Sequence, residues 1–225
     1  ALNILYPGIL FGTLLFLLGS YEFFNGLAYS GQTAFGGFMT EAQLEEVTTL
    51  INDSRKVENG SVFVCISGAV SDGHKYAAEV AEKGAAALVV EKDVEVPADV
   101  TVIKVEDTRY ALALMSAAYF GYPAEKLKIV GITGTKGKTT TTYMIKSILE
   151  ETGHKVGLIG TIEAIIGEKK IPAANTTPES YTIHQYFAEM VKEGCDCVVM
   201  EVSSQGLMLH RTCLLYTSPS PRDTR

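Results

Sequence analysis

Hydrophobic and polar positions alternate along most of this chain in short blocks, and the blocks change period as they go. Apolar runs of five to eight residues, the length of buried strands, recur at Val47–Asn52, Ser61–Ile66, Ala87–Glu91, Val100–Val105, Lys128–Thr133, Lys155–Ile159 and Cys195–Val202. Between them lie stretches with helical spacing. Lys75–Lys83 ends at Gly84, a natural C-cap. Asp107 or Thr108 can cap a helix with Ala111, Leu112, Leu114, Met115, Ala118 and Tyr119 apolar, stopping before Gly121 and Pro123. Tyr143–Glu150 sets Met144, Ile145, Ile148 and Leu149 on one face, and a helix capped by Thr177–Glu179 turns Ile183, Phe187, Met190 and Val191 inward. Thr161–Ile166 and Lys169–Pro172 read as a hairpin turning at Gly167, and Asn59-Gly60 closes the polar turn after the first strand.

Strands alternating with helices imply an α/β fold with parallel sheets, whose ligand sites lie at the carboxyl ends of the strands. Ala124–Lys126 reads as a linker, so the pattern predicts a small amino-terminal α/β domain over 39–126. The start of a parallel-sheet, phosphate-loop ATPase domain follows over 127–212. Thr133, Thr161 and Glu201 all fall at strand ends of this second unit.

The two ends of the chain break the pattern. Leu2–Leu18 is nearly all apolar but holds Pro7, Gly8 and Gly12, and at this length it sits at the short limit for a membrane span. No Lys or Arg precedes Arg55, so neither a signal peptide nor an oriented membrane segment is specified. Residues 1–38 are therefore either a membrane segment or a misassigned start ahead of Met39. Cys213–Arg225, with its TSPSPRDTR run, has no apolar period and reads as a disordered, artefactual tail. The natural protein is then expected to continue past Thr212.

Composition narrows the function classes. A chain of 225 residues, 47% hydrophobic and 20% charged, with net charge −7, fits a globular protein and lacks the basic surplus of a nucleic-acid binder. Cys65, Cys195, Cys197 and Cys213 show no zinc-like spacing, which points to reduced thiols in a cytoplasmic protein.

The chemistry concentrates at GITGTKGKTTTT, Gly131–Thr142, set between a strand and a helix. Gly134 and Gly137 let successive N–H groups point at an anion, and the following helix adds its positive dipole end. Lys138 supplies a mobile cation for outer phosphates, and Thr139 a hydroxyl suited to Mg²⁺. The strict phosphate-loop spacing asks for glycine at Ile132, so the loop is a variant. Glu201, closing the strand in MEVSS, can hold Mg²⁺ or can cap the next helix. Arg211 is the arginine of the second unit before the tail, a natural bidentate partner for a carboxylate or phosphate.

GTKGKTT (Gly134–Thr140), NTTPE (Asn175–Glu179), EVSSQGL (Glu201–Leu207) and His210-Arg211, with DSRKV (Asp53–Val57) and DGHKY (Asp72–Tyr76), resemble the Mur ligases, and among them the branch that makes the muramoyl tripeptide. The resemblance spans about Leu44–Thr212 and accounts for the loop variant. It implies an ATP- and Mg²⁺-dependent ligase of peptidoglycan synthesis. ATP phosphorylates the terminal carboxylate of UDP-N-acetylmuramoyl-L-alanyl-D-glutamate. A diamino acid, meso-diaminopimelate or L-lysine, then displaces phosphate.

It further implies that Gly134, Thr135, Lys136, Gly137, Lys138, Thr139 and Thr140 hold ATP, with Lys138 and Glu201 catalytic and Thr139 and Glu201 on Mg²⁺. Asn175, Thr176, Thr177, Ser203 and Arg211 match positions for the muramoyl peptide, and Ser54 matches a contact to UDP. The expected protein is a cytoplasmic monomer. Lys136 stands where Asn is common, and Gln205 replaces a frequent His. The helix and strand that usually precede the DSR strand are replaced here by 1–38, which leaves the stability of the UDP site in question. The family's carbamylated lysine and its amino-acid-selecting domain lie beyond Thr212, so the 225-residue chain by itself is expected to lack ligase activity. Competing readings are a sister ligase of the Mur or folylpolyglutamate type, or a membrane-anchored nucleotide-binding module.

Overall fold

The computed structural model describes residues 48–68, 71–98, 100–213 and 215. The apolar segment 1–38 and nearly all of the tail lie outside the described residues. The chain divides into two compact units, Ala1–Ala111 and Leu112–Arg225, so the division falls inside a helix, earlier than the 126/127 boundary expected from sequence.

The first unit carries a four-stranded parallel sheet in the order β1–β2–β3–β4: Thr49–Ile51, Ser61–Val64, Ala87–Val90 and Thr101–Lys104. β2 and β3 are buried along their whole length, as continuous Val/Leu/Phe runs require in a sheet covered on both faces. The polar turn after the first strand does not close a hairpin. β1 and β2 pair in parallel, Leu50 opposite Val62, and the connection carries a 3₁₀ turn at Ser54–Lys56 capped by Asp53. Helix α1 (Ala77–Glu82) buries Ala77, Val80 and Ala81, with Ala77 and Val80 joining a core of Phe63, Leu88 and Val90. Helix α2 (Thr108–Tyr119) starts where Asp107 Oδ1 accepts from the Arg109 and Tyr110 N–H groups, which settles the cap on Asp107. Thr108 is engaged instead by Glu91, at 2.8 and 2.7 Å.

In the second unit the stretch expected to be a linker is structured. Pro123–Lys126 forms a 3₁₀ turn in which Pro123 and Ala124 are buried, because proline fixes the turn and the alanine joins the core. The sheet runs β5–β9–β6–β7–β8, with β5 Lys128–Ile132, β6 Val156–Ile159, β7 Glu163–Ile166, β8 Lys169–Pro172 and β9 Cys197–Glu201. β5, β9 and β6 are parallel, whereas β7 and β8 form the antiparallel hairpin expected at Gly167.

Two helices cover the two faces of this sheet. Helix α4 (Ser180–Lys192) buries Ile183, Phe187 and Met190 against Val198, Met200 and Ile159. Each such side chain contributes about 1.5–3 kcal/mol of apolar burial. On the other face, helix α3 (Lys138–Glu151) packs Ile145 and Leu149 against Cys197 and Val199. The four-residue apolar face read from sequence is therefore half right. Met144 and Ile148 are exposed, because Thr142, buried at the same spacing as Ile145 and Leu149, turns the inward stripe away from them.

Candidate functional site

Strand register and side-chain alternation assemble the site. β5 and β9 pair with Ile132 opposite Glu201, so the glycine loop leaves the sheet beside the glutamate. Side chains alternate along a strand, which puts Glu201 on the face of Cys197 and Val199, the face that α3 covers. Helix α3 begins at Lys138. Loop, helix start and acid are thus brought to the carboxyl end of the parallel strands.

In the loop, Gly134 (φ 143°) and Gly137 (φ 79°) take backbone conformations that a side chain disfavours, and Gly137 is the N-cap of α3. Among the described residues no side chain caps that helix, which leaves its first N–H groups to an anion. Gly134, Thr135, Lys136, Gly137 and Thr140 are exposed, and Thr139 is half-buried. Lys138 Nζ reaches back to the Gly134 carbonyl at 2.8 Å, holding its charge over the curl of the loop.

Glu201 is 1% exposed. Its Oε1 accepts from Thr161 N–H at 2.9 Å and its Oε2 lies 3.0 Å from Thr161 Oγ1. Gly160 makes room for it, since a Cβ there would meet Oε1 at 2.6 Å. Among the described residues no Lys or Arg pairs with this carboxylate. A buried carboxylate without a cationic partner is costly to maintain, and an oxygen-seeking divalent cation relieves it. Glu201 and the Thr139 hydroxyl are the hard oxygen donors that Mg²⁺ takes.

The threonine loop closes the other side. Thr161 Oγ1 lies 3.1 Å from Thr176 Oγ1. Thr177 Oγ1 donates to the Glu201 carbonyl and accepts from Ser203 N–H, both at 3.0 Å, and lies 3.2 Å from Ser203 Oγ. Ser203 in turn caps the short helix α5 (Ser204–Met208) by accepting from Gly206 N–H. Arg211 donates to the Thr177 carbonyl at 2.9 Å and to Glu179 Oε1 at 2.6 Å, while its buried Nε has no hydrogen-bond partner among the described residues.

Five of the residues singled out in the sequence, Thr176, Thr177, Ser203, Arg211 and Glu201, are thereby joined in one network. Asn175 is exposed beside it. Ser54 belongs to the first unit, where its carbonyl accepts from Lys83 Nζ at 3.1 Å. Thr161, Gly160 and Glu179 were not marked as site residues. Thr161 carried a signal, its place at a strand end, whereas Glu179 read as part of a helix cap and as the last residue of NTTPE, with no site role of its own. Glu179 is indeed the N-cap residue of α4, but its side chain makes no capping bond, because its carboxylate is turned to Arg211.

Fold and site define an α/β protein with a strand–glycine loop–helix unit and a strand-end acid beside the loop. The family model described as the Mur ligase middle domain matches residues 132–219, and that of the Mur ligase family catalytic domain matches residues 46–120. The chain belongs to the Mur ligase family.

It is 54% identical over 166 residues to a UDP-N-acetylmuramoyl-L-alanyl-D-glutamate–2,6-diaminopimelate ligase of Clostridium perfringens, covering 74% of this chain and 34% of the relative. Against the ligase of the same name from Clostridium botulinum the identity is 52% over 170 residues, covering 74% and 35%. A solved structure of a ligase of that name superposes with a TM-score of 0.61 at 26% identity, over 73% of this chain and 33% of that one. The chain spans about a third of the length of the curated relatives it matches. No helix among the described residues is long and apolar enough to cross a membrane.

Proposed function

We propose that this chain carries the ATP-binding loop and the muramoyl-peptide-binding residues of an ATP-dependent ligase. The proposed reaction joins 2,6-diaminopimelate to UDP-N-acetylmuramoyl-L-alanyl-D-glutamate. The observation that carries the reading is Glu201, a buried carboxylate without a cationic partner among the described residues, set beside the glycine loop. Its surroundings have the chemistry of a phosphoryl-transfer site, in which positioning and charge neutralisation do the work.

In this reading the N–H groups of Gly134–Thr140 and the Lys138 ammonium bind the nucleotide phosphates. Thr139 and Glu201 hold Mg²⁺, which when bound lowers the repulsion between the γ-phosphate and an incoming carboxylate. Thr176, Thr177, Ser203, Arg211 and Asn175 orient the glutamyl end of the acceptor, whose carboxylate oxygen takes the phosphoryl group to give an acyl phosphate and ADP. The diamino acid's amine then forms the amide bond and phosphate leaves. Ser54 on the first unit is assigned to the UDP portion. The acceptor and the diamino acid are those in the names of the relatives, and a cytoplasmic setting is part of the proposal.

Calorimetric titration of the purified chain with ADP and Mg²⁺ tests this reading. Saturable, Mg²⁺-dependent binding that is lost in Lys138→Ala is the expected result. Absence of nucleotide binding by the folded wild-type chain overturns it.

A further inference from the structure

The end of the second sheet opposite the glycine loop brings together three side chains that the sequence keeps far apart. His154 follows helix α3, while Asp196 and Cys197 open β9, so 42 residues separate the histidine from the aspartate. Parallel pairing of β6 with β9, Val156 opposite Cys197, closes that gap. His154 Nδ1 and Asp196 Oδ2 are hydrogen-bonded. An imidazole nitrogen, a carboxylate oxygen and the Cys197 sulfur all lie within 4.8 Å of one another. The spacing of the cysteines gives no sign of such a set, because only one of them belongs to it.

The three donors sit on well-tied backbone. Asp196 N–H donates to the Lys155 carbonyl at 3.1 Å, and the Asp196 carbonyl accepts from Lys128 N–H at 2.9 Å. Lys155 N–H donates to Asp196 Oδ1 at 3.0 Å, which orients the carboxylate and leaves Oδ2 to the histidine. Such hydrogen bonds are the usual supports of a metal ligand. His154 N–H donates to the Leu149 carbonyl at 3.1 Å, so the imidazole hangs from the last turn of α3. Cys197 is buried, whereas the His154 and Asp196 side chains are 32% and 49% exposed, which leaves a path for an ion and for water to complete its shell.

The electrostatics suit a divalent cation. The negative end of the α3 dipole lies at Thr152, two residues before His154. Lys155 turns its ammonium to the Glu193 carbonyl, and Lys128, in register with Cys197, is exposed and can keep its ammonium in water. Nitrogen, oxygen and sulfur in one set select a borderline cation such as Zn²⁺ or Co²⁺ over Mg²⁺, which takes oxygen.

We propose that His154, Asp196 and Cys197 form a Zn²⁺ site that ties the end of α3 to the starts of β6 and β9. On binding, the Cys197 S–H bond breaks, its electron pair forms the S–Zn bond, and the proton passes to water. The neutral imidazole gives the Nδ1 lone pair with its proton on Nε2, and Asp196 gives Oδ2. The hydrogen bond between them is exchanged for two bonds to the ion, whose charge the thiolate and carboxylate neutralise. Cys197 and Glu201 are the two ends of β9, about 13 Å apart. The site is thus separate from the acid beside the loop, and the inference goes beyond the functional reading without resting on it.

Titration of the full 225-residue chain with Co²⁺, under a phosphine reductant and in excess Mg²⁺ to fill sites made of oxygen alone, tests the site. One equivalent should produce a near-ultraviolet thiolate-to-cobalt band that Zn²⁺ removes. Cys197→Ser should abolish the band. His154→Ala should weaken Co²⁺ binding by at least the about 10–100-fold that loss of a mere second-shell partner costs. Absence of the thiolate band in the wild type overturns the proposal, as does a band that survives in Cys197→Ser. Should Cys197→Ser not fold, His154→Ala and Asp196→Asn, at partly exposed positions, decide. Both must weaken Co²⁺ binding by about tenfold or more, and wild-type affinity in either overturns the site.

Discussion

Arg211 and Glu179 form a close pair, Nη2 to Oε1 at 2.6 Å, with the two side chains 13% and 27% exposed. The same guanidinium holds the Thr177 carbonyl at 2.9 Å, so Arg211 ties the threonine loop to the start of α4. The arginine that the sequence offers as a ligand-binding fork is also a structural clamp. Replacing it with Met removes the charged partner of the half-buried Glu179 carboxylate and the donor to the Thr177 carbonyl. Urea denaturation of Arg211→Met should show a loss of about 1–3 kcal/mol, and an unchanged midpoint would remove the clamp from the argument.

His184 lies in the core of the second unit with no exposure, edge-on to Phe187, and neither ring nitrogen has a hydrogen-bond partner among the described residues. Burial in apolar surroundings lowers its pKa from 6.5 to about 4. The folded chain therefore keeps the ring neutral in a range where the unfolded chain takes up a proton. Stability is full above the unfolded pKa, falls as pH drops below it, and stops falling below the folded value. Between pH 7 and pH 5 this amounts to about 2 kcal/mol. Denaturant midpoints of the wild type should show the decline and those of His184→Phe should not. An equal decline in both would place the titrating group elsewhere.

Much of this structure is legible in the sequence, and the exceptions have physical causes. The strands of both sheets follow from short apolar runs, and the glycine loop from its residue types. The Asn59-Gly60 signal names a turn but not the direction of the next strand, and here β1 and β2 are parallel. On α3, spacing alone cannot tell Met144 and Ile148 from Ile145 and Leu149. The decision lies with Thr142, which is 0% exposed and pulls the stripe round the helix. At the site, Glu201 announces itself by type and strand-end position, whereas Thr176 and Thr177 are marked only by the resemblance of NTTPE. What stays hidden is pairing across long separations: Thr161 with Glu201 and Glu179 with Arg211 are contacts that only the fold decides.

Gly160 offers a way to disturb the acid without removing it. The residue directly follows β6, and a Cβ built on it would sit 2.6 Å from Glu201 Oε1, closer than real Cβ atoms come to a neighbour. The Glu201 carboxylate cannot simply swing away, because Thr161 holds both of its oxygens and the side chain is buried. Alanine at 160 must therefore break the Thr161 bonds or push the carboxylate out of the place beside the loop. Overpacking of this kind destabilises by about 1–3 kcal/mol. The larger effect should fall on the cation. Mn²⁺ affinity in the presence of ADP, read by electron paramagnetic resonance, should drop about tenfold or more, as expected when a charged ligand is misplaced. ADP binding without metal, which depends on the loop and Lys138, should stay within about twofold, a difference too small to mark a lost hydrogen bond. If Gly160→Ala binds Mn²⁺ as the wild type does, Glu201 is not a cation ligand, and the site must be rebuilt around Thr139 and the loop alone.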